Sequence, residues 1–214
     1  MMKLIKEVSH YKSKMHHRAV LMFACCALLL SACGVSSVVV QGSFPAPNVA
    51  RLPMNIAVVY DEELRNFHYI EYSEKGDEEY NIASGNSHVD LFNAVLPAMF
   101  ESVVVVDNVQ AAIESGVDAI FIPRIDEFQL ALPNKTKLDV YEVWIRYNMS
   151  FLEGDATQIA DWVLTSYGKT PTQNMRSADS AINDAAVVAL RDLASSFSLS
   201  FGQVPEIRDW LASR

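Results

Sequence analysis

The sequence predicts an α/β domain of the α+β kind: a single mixed β-sheet with helices packed against it. Three observations predict it. Between Met54 and Pro123, short runs rich in β-branched residues alternate with helical patterns. From Tyr141 to Phe151 the chain then alternates apolar and wetter positions with a period of two. Finally, Ser180 to Phe197 carries one apolar stripe at helical spacing, which suits a helix laid over a sheet.

Each element follows from its residues. Asn55 to Tyr60 (N-I-A-V-V-Y) is a buried strand. Tyr69, Ile70 and Tyr72, then Tyr80 to Ile82, form a hairpin whose tip is the charged run Glu74 to Glu79. Ser87 is set to cap a helix, with Asp90 three residues on as its capping-box partner. Leu91, Phe92, Val95, Leu96, Met99 and Phe100 share that helix's apolar face, and Pro97 within the pattern predicts a kink or a break. Ser102 to Val106 is the next strand. Val109 to Ser115 is a short helix closed by Gly116. Asp118 to Pro123 is a third buried strand that continues to Leu132. In the alternating strand, Tyr141, Val143, Ile145, Tyr147, Met149 and Phe151 face the core. Gly154-Asp155 turns the chain, and Ile159 to Tyr167 returns as its partner. After the long helix, Pro205 opens a short terminal one that can dock Ile207, Trp210 and Leu211.

The chain has 214 residues, half of them hydrophobic, enough for one sizeable core. Its net charge of -9 hides a split. Residues 1–32 hold Lys3, Lys6, Lys12, Lys14 and Arg18 against Glu7 alone. The remainder carries 12 basic and 25 acidic residues, a balance of -13. So acidic a domain repels nucleic acid, which is not expected as a partner. The three cysteines, Cys25, Cys26 and Cys33, all lie in or beside the N-terminal apolar run, so no disulfide or thiolate is available to the domain.

Ala19 to Leu30 is an unbroken apolar stretch of 12 residues behind a basic segment. It is shorter than the ~20 residues that span a bilayer and has the layout of a secretory signal peptide. A translation start at Met15 would give that leader a more ordinary length. The residues Leu30-Ser31-Ala32-Cys33 resemble the lipobox of bacterial lipoproteins. The resemblance implies cleavage between Ala32 and Cys33, a diacylglyceryl thioether on Cys33, and acylation of the new amine. Several acyl chains anchor stably where one binds only reversibly. Gly34, where an Asp would resemble an inner-membrane retention signal, implies the outer membrane with the domain facing the periplasm. Residues 33–53, rich in Ser, Gly and Pro, read as a lipidated cysteine followed by a flexible tether with a little extended structure. As a coil its ends would lie roughly 25 Å apart. The globular domain is then expected over 54–214.

Candidate chemistry is sparse. His88 beside Asp90 could act as a general base for a nearby serine, but turn-mates at a helix start are more often caps, and no Gly-x-Ser-x-Gly elbow occurs. The acidic cluster around Gly76 lacks the offsets of a calcium loop and reads as a solvated hairpin tip. His68 and His88 are the only histidines beyond the leader, so no metal or cofactor is expected, and no phosphate cradle points to a nucleotide. Trp144, Arg146 and Tyr167 are candidate interface residues, since Trp and Arg are enriched in binding hot spots. Two readings of them stay open: an exposed interface, or a face covered by a helix with Trp144 in the core.

This element order, behind a lipobox, resembles the N-terminal domain of TolB and the CsgG-like, LpoB-like and YajG-like lipoproteins. The likeness rests on Asn55 to Tyr60, Ser87 to Phe100 with Val103 to Asp107, Asp118 to Phe128, the strand pair from Val140 to Tyr167, and the helix with Ala185, Leu190 and Leu193. It implies a TolB-N-terminal-like fold and a non-catalytic scaffold or accessory role in an envelope complex, with self-assembly or a protein partner. A hydrolase using His88, or a lipid or glycan carrier with a large apolar pocket, are the other readings.

Overall fold

The computed structural model describes residues 34–174 and 177–214. Ala32 and Cys33, the predicted cleavage and lipidation positions, lie outside the described residues. The α+β class with helices on a mixed sheet holds, but the strands divide into two sheets where one was expected. Strands β1 (Gly34–Val39), β3 (His68–Tyr72) and β4 (Glu78–Ala83) form a three-stranded sheet in the order β1-β4-β3. Strands β2 (Leu52–Val59), β5 (Phe100–Val106), β6 (Ala119–Ala131), β7 (Val140–Glu153) and β8 (Gln158–Pro171) form a five-stranded sheet in the order β5-β2-β6-β7-β8. Its β5-β2-β6 half is parallel and its β6-β7-β8 half antiparallel.

The helices are α1 (Glu62–Arg65), α2 (Gly85–Met99), α3 (Val109–Glu114), α4 (Pro133–Thr136), α5 (Ala178–Ser200) and α6 (Pro205–Ala212). Helices α2 and α5 seal one face of the large sheet. There Ile56, Val58, Phe121, Val143, Tyr147 and Phe151 meet Leu91, Phe92, Leu190 and Phe197 in one continuous core. Each such side chain stabilises the fold by about 1.5–3 kcal/mol when fully buried. Helix α5 reaches β8 at Gly168, where a Cβ would stand 2.1 Å from the Ala185 carbonyl oxygen. Only glycine permits that approach.

On the opposite face α3 covers one end. Ala112 packs with Ala57, Val59, Ile120 and Ile122 in a second, smaller cluster. Asn108 caps α3 through its side-chain oxygen, which accepts from the Ala111 amide at 2.9 Å. Gly116 follows at φ +67, as its position after the helix requires.

Three expectations need correction. Residues 34–53 are not a free tether. They contain β1, bury Val38 and Val40, and then cross α5. The Gln41 amide donates to Asn183 Oδ1 at 2.8 Å, Arg191 donates to the Ser43 carbonyl, and Gly42 lies against Val187. The large sheet's own β2 begins at Leu52, inside the segment read as tether. Second, Ser87 does not cap α2. The helix starts three residues earlier, behind Ser84, and the Ser87 hydroxyl donates to the Val40 carbonyl at 2.6 Å. Third, Pro97 does not break α2 at its own position. It sits in the last turn, where it removes a single backbone bond, and the helix runs on to Met99.

Candidate functional site

The second face of the large sheet is covered by α3 only at the β2 end. The long arms of β6, β7 and β8 project beyond it. Antiparallel register sets Trp144 beside Tyr167 of β8 and Gln129 of β6, and sets Arg146 beside Thr165 and Glu127. Period two then puts Trp144, Arg146, Val163, Thr165 and Tyr167 on the same side, away from α2 and α5.

Trp144 is 49% exposed, and Val163 is more exposed still. Trp144 is therefore not in the core, and no helix among the described residues covers it. The indole of Trp144 and the ring of Tyr167 lie 4.5 Å apart, tilted by 45°. Tyr167 donates its hydroxyl to Glu142, and its backbone amide donates to Asp192 of α5 at 3.0 Å. Desolvation, helped by the Glu142 carboxylate, pushes the Tyr167 phenol up to about 12, so it remains a neutral donor.

Arg146 is aimed by two carboxylates. Its Nε lies 2.8 Å from Asp126 Oδ2 and its Nη1 lies 3.3 Å from Glu127 Oε2. The β-bulge in β6 between Ile125 and Glu127 brings both acids to the same guanidinium. A shallow groove of about 150 Å³ runs between Glu127, Gln129, Trp144, Arg146 and Thr165. It offers an aromatic wall, an apolar floor and a guanidinium with donors to spare.

Sequence reading found Trp144, Arg146 and Tyr167, and the structure brings all three together. It missed Val163, Thr165, Gln129 and the paired acids. The signal for Val163 and Thr165 was the alternation in Asp161 to Lys169, whose other set (Trp162, Leu164, Ser166, Gly168) turns toward α5 and the core. Nothing local in the sequence marked the bulge.

His88 lies elsewhere. Its ring is wholly buried, with Nε2 2.9 Å from Ser84 Oγ and Nδ1 bonded to the Tyr147 hydroxyl. Phe67 lies edge-on at 5.8 Å. Burial lowers its pKa to about 3, so the ring is neutral. Asp90, the carboxylate the sequence paired with it, is exposed, and a tyrosine takes its place. Ser84 and His88 have the contact of a nucleophile and its base, but both are sealed in the core. Among the described residues no three His, Cys, Asp or Glu side chains converge to hold a metal, and no helix is long and apolar enough to cross a membrane.

Fold and face together define an α+β domain with one sheet face sealed by helices and the other open along its long antiparallel arms. A solved structure shares this fold at low identity. A Xanthomonas campestris protein of the DUF330 family matches with a TM-score of 0.53 at 11% identity, over 84% of this chain and 99% of its own. More distant are a minor lipoprotein of Acinetobacter baumannii, with a TM-score of 0.33 at 12% identity over 70% and 92% of the two chains; and the PelC dodecamer of Paraburkholderia phytofirmans, with a TM-score of 0.38 at 16% identity over 73% and 93%. No protein-family model and no curated protein matches the sequence.

Proposed function

We propose that the chain is a lipid-anchored protein of the Gram-negative envelope whose domain docks, without catalysis, onto an envelope complex or onto copies of itself. The observation that carries the reading is the open face at Trp144, where an aromatic pair and a carboxylate-aimed arginine stand on rigid strands. Trp and Arg side chains held in this way bind partners at little cost in conformational entropy.

The anchoring half rests on the lipobox Leu30-Ser31-Ala32-Cys33 behind its apolar run. Palmitate-like chains on Cys33 would tie the domain to the outer membrane, facing the periplasm, with Gly34 favouring that membrane. Since β1 begins at Gly34, an acylated Cys33 would leave little free chain before the fold. The domain would ride against the headgroups rather than on a leash. The likeness to TolB, CsgG, LpoB and YajG lipoproteins fits the same scaffold or accessory role.

Two features support non-catalytic docking over the other readings. His88 has no opening to solvent. A lipid or glycan carrier needs an apolar chamber, whereas among the described residues the sheet and helices meet through one continuous cluster of buried side chains.

The test is photo-crosslinking in living cells from a benzoyl-phenylalanine placed at position 144, with position 199 on α5 as an exposed control. Adducts from 144 and not from 199, lost in a Cys33→Ser chain, are expected. No adduct from 144, or equal adducts from both positions, would overturn the reading.

A further inference from the structure

Among the described residues β5 is an unpaired edge of the large sheet, yet it is built like the interior of a parallel sheet. Interior parallel strands are covered on both faces and read as unbroken apolar runs, and Val103-Val104-Val105-Val106 is such a run. Register with β2 places Val103 and Val105 on the side of the main core and Val104 and Val106 on the side of α3. Val104 is nevertheless 39% exposed and Val105 50%. Among the described residues β5 pairs only with β2.

Soluble proteins protect such edges with lysine, proline, bulges or a covering element. From Ser102 to Val106 the strand has no charge and no proline, and its register with β2 is unbroken. The opposite edge is treated differently. There the Tyr167 amide is taken up by the Asp192 carboxylate, and Lys169 and Asp161 stand along the strand.

Charge says what fits. Between Gly76 and Pro123 the sequence has eight Asp and Glu and no Lys or Arg. Glu101 and Asp107, both exposed, bracket the valines, and Glu114 stands exposed on neighbouring α3. A second copy would bring this acidic rim against its own image. With the two-fold axis at Val104, Glu101 of each copy would oppose Asp107 of the other, which is unfavourable for directly facing charges.

We propose that β5 is the docking edge for an extended segment of another protein, apolar at its centre and basic at its flanks, which adds to the sheet beside β5. Main-chain bonds supply the affinity, the valines meet apolar side chains on both faces, and Glu101 and Asp107 select basic flanks. The site is independent of the Trp144 face.

The test is amide hydrogen exchange of the folded chain with a synthetic peptide of alternating valine and threonine flanked by lysine, against the same peptide flanked by glutamate. The lysine peptide is expected to slow exchange in Val103 to Val106 at least ~10-fold, and the glutamate peptide to need a ~10-fold higher concentration for the same effect. The double change Glu101→Lys and Asp107→Lys, on exposed positions, should reverse that preference. Three results would overturn the proposal: no slowing in β5, equal slowing by both peptides, or β5 protection that rises with protein concentration alone. The last would assign the edge to a second copy.

Discussion

His88 and Tyr147 are hydrogen-bonded to each other in the core, and both side chains are wholly buried. The bond links α2 to β7, and the Ser84 hydroxyl completes the histidine's coordination on its other nitrogen. The ring is therefore a neutral cross-brace between helix and sheet, and it makes the fold sensitive to acid.

The first prediction follows from that neutrality. Burial holds the folded-state pKa of His88 at about 3, below its ordinary 6.5. Between those values the unfolded chain binds a proton that the folded chain refuses. The contribution is fully present above pH ~6.5 and is lost progressively as pH falls toward ~3. Its full size is up to about 5 kcal/mol. Urea unfolding at a series of pH values should show stability falling already between pH ~6.5 and ~5, above the range where ordinary carboxylates titrate. His88→Gln should be less stable at neutral pH, because it disturbs two buried hydrogen bonds, yet flatter across that window. An unchanged slope in the variant would contradict the assignment.

Gly168 makes the second. A Cβ there meets the backbone of α5 at 2.1 Å and 2.4 Å, so Gly168→Ala must push the helix off β8. A loss of about 1–3 kcal/mol is expected from such overpacking. Gly202→Ala, which meets nothing within 4 Å, is the matched control and should shift the denaturation midpoint little.

A third concerns where the domain begins. A chain starting at Met54 loses β1, the buried Val38 and Val40, and the first two residues of β2. It should unfold at clearly lower urea than a chain starting at Val35, by at least ~3 kcal/mol for the two valines alone. Equal midpoints would mean that residues 34–53 are a tether after all.

The fourth separates docking from folding on the open face. Arg146 and its acids are about half exposed, so Arg146→Ala should change stability by no more than ~1 kcal/mol. Trp144→Ala gives up the contact with Tyr167 and should lose only about 0.5–1.5 kcal/mol. Co-purification of a crosslinked envelope partner should nevertheless fall at least ~10-fold in each variant. Loss of partner only in step with loss of folded protein would refute a direct role for the face.

Much of the fold was legible because periodicity is local. The alternation from Tyr141 to Phe151 named the core face of β7 correctly, and the stripe of α5 and the hairpin of β3 and β4 were equally plain. What failed depended on distant partners. The segment 34–53 has the composition of a linker, yet it is ordered by an acceptor (Asn183), a donor (Arg191) and apolar surface on α5, 140 or more residues away. Ser87 fits a cap by sequence, but the returning chain offers the Val40 carbonyl and takes its hydroxyl. The division into two sheets and the edge position of β5 are matters of strand order, which no local pattern encodes. At the candidate face, the strand pattern exposed the aromatic pair, while the bulge that gathers Asp126 and Glu127 onto Arg146 left no trace in the sequence.

The most direct test of the account is the intact mass of the chain's N-terminal peptide, recovered from cell membranes. A lipid-anchored chain yields a peptide beginning at Cys33 and carrying a diacylglyceryl group with a further acyl chain on its amine. A peptide with residues 1–32 still attached, or an unmodified Cys33, would contradict that anchoring.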